Sequence, residues 1–180
     1  MGKKWFGFGF SREQIDFLKK FPLFFFIPYF AIRLFDWTFL TSAIAAFESS
    51  ALAALGYANE RFGSIILAAN ASGGSEAFDL VVDCSGAVMI IMFLALYYAT
   101  GDFAGKKNGK GKTLKTSKPR SPWIYLPLLF VFNLARILVT LAVGLSFGAF
   151  ALQATHFVLW FVDSAVVVAC WAHAKHIKFG

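Results

Sequence analysis

Four apolar stretches set the pattern of the chain: residues 21–32, 87–99, 123–144 and 156–172. Each spans or nearly spans a hydrocarbon core, for which a helix needs about 20 apolar residues. The pattern predicts four transmembrane helices, the first running over 21–40. In that first span Arg33 and Asp36 stand three residues apart, a spacing at which they can neutralise each other near the membrane boundary. Ahead of it, residues 1–20 alternate Phe and Trp with basic side chains, the pattern of an interfacial segment, and Ser11 is placed to cap a helix. Aromatic residues and Pro in the 21–32 run, with no small-residue cleavage site close behind, argue against a signal peptide.

Between the first and second spans the pattern changes. The Ala-rich stretch 41–58 predicts an amphipathic or partly re-entrant helix. A fifth span there is the competing assignment, but it would carry Glu48 into the bilayer centre at high cost. Two strand-like runs follow, FGSIILAA (62–69) and AFDLVVDC (77–84), separated by Asn-Ala-Ser-Gly-Gly-Ser. Apolar, β-branched runs around such a cluster predict a β-hairpin. Asn70-Ala71-Ser72 within it is a formal glycosylation sequon.

Composition supports the membrane assignment. Hydrophobic residues make up 58% of the 180, too much apolar surface for one soluble core of this size. The net charge of +7 invites a nucleic-acid reading until its distribution is considered. Five basic residues lie in 1–20, seven in 101–122 and two in 175–178, whereas 41–83 holds Arg61 against Glu48, Glu60, Glu76, Asp79 and Asp83. The positive-inside rule then places the N-terminus, the basic 101–122 loop and the C-terminus in the cytoplasm, and 41–83 outside. The loop is a solvated segment lying against anionic headgroups. Its GKKNGKGKT run lacks the spacing of a phosphate-binding loop, and no nucleic-acid partner is expected. The whole chain reads as one integral membrane domain: an all-α bundle of about four transmembrane helices with a small extracytoplasmic subdomain of one helix and a hairpin.

Two cysteines do not make a disulfide framework. Cys170 lies near the inner end of the last span in apolar surroundings and reads as an inert core residue. Cys84 opens the second span in the sequence Asp83-Cys84-Ser85-Gly86. The topology puts two other unusual residues in the same outer layer. Arg136 lies 13 residues beyond Trp123, a rise of roughly 20 Å, so its head can reach the outer interface. His156 opens the last span.

These three types suit thiol chemistry. A helix N-terminus, a guanidinium and an imidazole each favour thiolate. His156 can accept the thiol proton and later protonate a leaving amine. Arg136 stays protonated and can stabilise thiolate or oxyanion, or hold a substrate carboxylate. Asn133 and Thr140 share its helix face and can orient it. Asp163, two turns deeper than His156, can pair with a buried cation but is too deep to bond His156. Asp83, Ser85 and Gly86 flank the thiol and join these as supporting or substrate-binding residues. Two soft ligands, Cys84 and His156, are too few for a closed metal site, and no cofactor is expected.

Cys84-Ser85-Gly86 opening a helix, Asn133-Leu134-Ala135-Arg136-Ile137 on the next, and His156-Phe157 opening the last resemble the exosortase/archaeosortase family of integral membrane cysteine transpeptidases. The resemblance covers residues 60–165 and lies nearest the small archaeal members; the additional spans of larger members are missing. It implies Cys84, Arg136 and His156 as the catalytic set. It also implies a membrane-anchored protein substrate with a C-terminal sorting signal: a short motif, a transmembrane helix and a basic tail. Cleavage would pass through a thioester to a new nucleophile, a lipid among the candidates. A purely hydrolytic membrane cysteine protease, and a non-catalytic assembly or transport subunit, remain open alternatives.

Overall fold

The computed structural model describes residues 12–100 and 119–176. The predicted cap at Ser11 and most of the basic 101–122 loop lie outside the described residues.

Helix α1 (Arg12–Ile32) runs without a break from the predicted interfacial segment into the first apolar run. It carries Pro22 and Pro28 in its interior, each of which removes a backbone donor. Aromatic rings spaced four apart line the face across these positions. Phe17, Phe21, Phe25 and Tyr29 stack with centroids 5.5, 5.8 and 5.7 Å apart. The helix ends well before residue 40. The Trp37 indole N–H donates back to the Ile32 carbonyl, and Asp36 accepts the Thr38 N–H (2.8 Å) and hydroxyl (2.5 Å). Asp36 thus anchors the start of the next helix. The expected Arg33–Asp36 pair is replaced by Arg33 bonding Asp83, at 2.5 Å.

Helix α2 (Thr38–Ala54) occupies the stretch predicted as an outer or re-entrant helix. It stops in a left-handed Gly56 (φ +91°), with the Tyr57 N–H on the Leu52 carbonyl and the Gly56 N–H on the Ala53 carbonyl, a Schellman closure. Three antiparallel strands follow in sequence order: β1 (Asn59–Phe62), β2 (Ile65–Ala69) and β3 (Ser75–Asp79). This corrects the expected hairpin. Gly63, at φ +61°, turns the chain inside the first predicted strand, so that Phe62 pairs with Ile65. The second predicted strand stops at Asp79, which releases 80–84 to form the approach to the next helix. The β2–β3 loop folds around Asn70, whose side-chain oxygen accepts from the Gly74 N–H and the Ser72 hydroxyl at 2.8 Å each.

A 3₁₀ turn (Val82–Ser85) leads into α3 (Ala87–Ala99). A second one (Pro122–Ile124) leads into α4 (Tyr125–Phe147), and Gly148 alone separates α4 from α5 (Ala149–Ala174). The stretches Pro122–Phe147 and Ala149–Ala174 are long and apolar enough to cross a membrane, whereas α3, of 13 residues, is shorter. Apolar side chains also face outward on α1 (Phe26, Ile27, Phe30), α4 (Leu128, Val131, Val139) and α5 (Phe157, Trp160, Phe161).

Packing divides the molecule into two apolar cores. Near the Tyr125 end, Met89, Phe93, Leu129, Val167 and Cys170 join α3, α4 and α5. Beyond it, Ile137, Leu141 and Leu145 of α4 meet Ile44 and Leu52 of α2 and Ile66 and Ala68 of β2. The Tyr125 end is tied by polar contacts. Arg120 reaches His173 Nε2 at 2.9 Å and Tyr125 reaches Nδ1 at 2.9 Å. A guanidinium only donates, so Nε2 is the acceptor and Nδ1–H donates to the Tyr125 hydroxyl.

At the Phe147 end the backbones of α4 and α5 come close at Gly144, where an added Cβ would sit 2.5 Å from Leu152 Cδ1 and 3.0 Å from its Cβ. Gly144→Val therefore lowers the thermal midpoint, by a loss of about 1–3 kcal/mol for overpacking. Leu152→Ala in the same chain recovers part of that loss, and a double-mutant cycle on the four proteins measures the coupling.

Candidate active site

Cys84 sits on the 3₁₀ turn, and local chemistry sets that turn's shape. Ser85 is buried; its hydroxyl donates to the Val82 carbonyl (2.5 Å) and accepts the Ala87 N–H (3.3 Å). Its role is to close the turn and cap α3. Gly86 follows at φ +79°, a conformation that side-chain-bearing residues rarely adopt, and an added Cβ would meet Asn133 Cγ at 3.0 Å. The glycine thus serves both the backbone turn and the close approach of α4. Asp83 points to the end of α1, where it pairs with the half-exposed Arg33. At that exposure the pair contributes little stability, but it joins residues 50 apart and fixes where α1 ends relative to the turn.

Asn133 makes the link to α4. Fully buried, it donates from Nδ2 to the Cys84 carbonyl at 2.7 Å. It was expected to orient Arg136; instead it holds the backbone of the thiol-bearing residue. One turn further along α4, Arg136 donates from Nη1 to Asp163 Oδ2 of α5 at 2.7 Å. Both members are buried, at 8% and 5% side-chain exposure. This corrects the expectation that the Arg136 head extends to the outer interface: a carboxylate at its own depth holds it sideways. Asp163 does pair with a buried cation. Thr140 bonds the Arg136 carbonyl (2.9 Å), a contact along the helix, so it does not orient the guanidinium.

His156 makes no hydrogen bond to this group but lies near enough to Asp163 to act on it electrostatically. It is exposed on α5, seven residues from Asp163 and so roughly 10 Å further toward the Phe147 end. Among the described residues no hydrogen bond joins it to Cys84, Arg136 or Asp163. The structure brings Cys84, Asn133, Arg136 and Asp163 into one layer, with His156 two turns along α5 from Asp163 toward the Phe147 end.

The thiol is half-buried. Burial pushes it up from its ordinary value. A hydrogen bond with the Val81 backbone and then the Arg136 guanidinium pull it down, while Asp83 and Asp79 push it up again. Burial being the largest of these, the resting thiol is protonated, and Arg136 is the cation in place to favour thiolate. Three buried polar atoms of the layer have no partner among the described residues: Asn133 Oδ1, Arg136 Nε and Asp163 Oδ1. Two acceptors and one donor beside a thiol complement a group that both donates and accepts, as a peptide bond does. Among the described residues no cluster of three His, Cys, Asp or Glu is present that would hold a metal.

The chain matches no family model, no curated protein and no solved structure. The site therefore stands on its geometry. Two of its contacts were not anticipated from sequence, the Arg33–Asp83 link and the Asn133–Cys84 tether. Both span about 50 residues and leave no local signal.

Asp163→Ala strands the Arg136 charge in the core and destabilises the fold by about 3–5 kcal/mol. Arg136→Leu/Asp163→Leu removes both charges and lies much closer to wild type. Thermal unfolding of the two variants in one detergent checks the order.

Proposed function

We propose that this protein is a multi-pass membrane enzyme that cleaves and transfers a membrane-anchored protein substrate through a thioester on Cys84. In this reading α1, α3, α4 and α5 cross the bilayer, with the Tyr125 end in the cytoplasm. Support comes from the outward apolar faces of α1, α4 and α5 and from the charged group Arg33, Asp36 and Asp83, gathered where α1 ends and the turn before α3 begins. α2 and β2 pack beside the Phe147 half of α4, and in this reading they belong to the outer subdomain.

One observation carries the chemical reading. Asn133 ties the Cys84 carbonyl to α4 one turn from Arg136, so a thiol and a buried guanidinium share a layer at the foot of the outer subdomain. The steps follow. Substrate binding supplies the peptide group that the unpartnered Asn133, Arg136 and Asp163 atoms lack. Arg136 favours thiolate and then the oxyanion, with the thiol proton passing to the neutral His156 imidazole through a water that enters with the substrate. The thiolate attacks the carbonyl, the C–N bond breaks, and the leaving amine takes the proton from His156. A second nucleophile, an N–H or O–H group, attacks the thioester carbonyl, the C–S bond breaks, and the proton the nucleophile gives up returns to the Cys84 sulfur. The resemblance to exosortases and archaeosortases suggests as substrate a C-terminal signal of motif, helix and basic tail, and as nucleophile an amine, a lipid or water.

The exposure of His156, with no hydrogen bond to Cys84 among the described residues, is what favours the alternative of a non-catalytic assembly subunit. Co-expression with a candidate substrate bearing such a signal separates the two. Cys84→Ala abolishes the gel shift of processed substrate, Arg136→Lys abolishes it as well, and Cys170→Ala leaves it unchanged. A hydroxylamine-sensitive adduct mapped to Cys84 identifies the thioester. Processing that survives Cys84→Ala contradicts the enzyme reading.

A further inference from the structure

Thr41, Ile44, Ala45, Glu48 and Leu52 form the buried face of α2. Their apolar members pack into the core built from Ile137, Leu141 and Leu145 of α4 with Ile66 and Ala68 of β2. At the middle of this face Glu48 has no exposed surface, and neither carboxylate oxygen has a hydrogen-bond partner among the described residues.

Among the described residues no neighbour is placed to balance a charge there. The elements packed on α2 are α4, β1, β2 and the Val82–Ser85 turn. On α4 the one cation, Arg136, is held by Asp163. On β1, Arg61 is exposed and donates to the Gly63 carbonyl, and Glu60 is a like charge. β2 has no charged side chain. On the turn, Asp83 is held by Arg33, and Cys84 is the other titratable group. On the next strand, Asp79 accepts from Ser64 and Glu76 from Asn70. Tyr57, just after α2, is bonded to Ser146.

An ionised carboxylate buried without a partner is strongly disfavoured, and such a group keeps its proton instead. Burial accordingly pushes Glu48 up to about 7. Cys84 packs against the same apolar core, and α2 touches the turn that carries it.

We propose that Glu48 is a proton-binding site that latches α2 onto α4. With the proton bound, α2 stays seated over the Val82–Ser85 turn; when the proton leaves, α2 lifts and uncovers Cys84. The seated state favours the neutral acid. Seating is therefore strongest below the ordinary carboxylate range, weakens as the pH rises from there to about 7, and levels off above. The latch does not depend on what Cys84 does, and its test reads no activity.

Hydrogen exchange of the α2 amides, followed by mass spectrometry on the full chain in nanodiscs, measures the lifting. At each pH the ratio of wild-type to Glu48→Gln exchange cancels the chemical exchange rate. That ratio rises by about tens-fold between pH 5 and pH 8, the span set by linkage. A ratio that stays constant overturns the latch. Should the Gln variant not fold, infrared spectroscopy of the wild type follows the protonated carboxyl band directly. The latch predicts loss of that band in step with rising α2 exchange, and a wild type with no such band at pH 6 overturns it.

Discussion

The buried Arg136–Asp163 pair constrains the whole bundle. It lies between two apolar cores, one built on Leu129 and Val167, the other on Leu141 and Ile66. Two charges removed from water at this depth must stay together, since separating them leaves one uncompensated in apolar surroundings. That requirement sets the register of α4 against α5. Gly144, packed on Leu152, lets the two helices stay close beyond the pair. Apolar side chains alone tolerate sliding by a turn; an ion pair with a 2.7 Å contact does not.

The rest of the site is referred to that register. Asn133 is one turn from Arg136 and holds the Cys84 carbonyl, and Gly86 permits the approach by having no side chain. Ser85 closes the turn, and Asp83 links it to Arg33 at the end of α1. Thus a residue in a turn after a small sheet stands at a defined place beside a buried cation. The cost of that arrangement is visible in the polar atoms Asn133 Oδ1, Arg136 Nε and Asp163 Oδ1, which have no partner among the described residues. A layer built for stability alone would pair or omit them, and this is the physical reason to look for function there.

Much of the helical frame was legible in sequence, because long apolar runs have few other structures open to them. The 13 residues of α3 and both long helices fall where the runs lie. The pairing of Asp163 with a buried cation was readable from its depth in an apolar helix. What escaped depended on contacts between distant residues or on one backbone angle. Arg33 had a neighbour, Asp36, at helical spacing, but the helix ends at Ile32 and Asp36 turns to hold Thr38. Gly63 adopts a left-handed conformation and converts one predicted strand into a turn and two strands. Arg136 was extended toward water by the length of its side chain, whereas a carboxylate on the neighbouring helix holds it in place. The burial of Glu48 was within reach: Thr41, Ile44, Ala45, Glu48 and Leu52 follow the spacing of one helix face.

The central claim is that the Arg136 guanidinium favours the Cys84 thiolate across this layer, working against the burial that pushes the thiol up. The rate of Cys84 alkylation by a small uncharged electrophile, followed by mass spectrometry as a function of pH, tests it most directly. The comparison is with Arg136→Gln/Asp163→Asn, which keeps the volume and removes both charges. The account predicts that the profile of the double variant moves to higher pH and that alkylation at neutral pH slows, while Cys170 is unaffected. Superimposable profiles for the two proteins would contradict it.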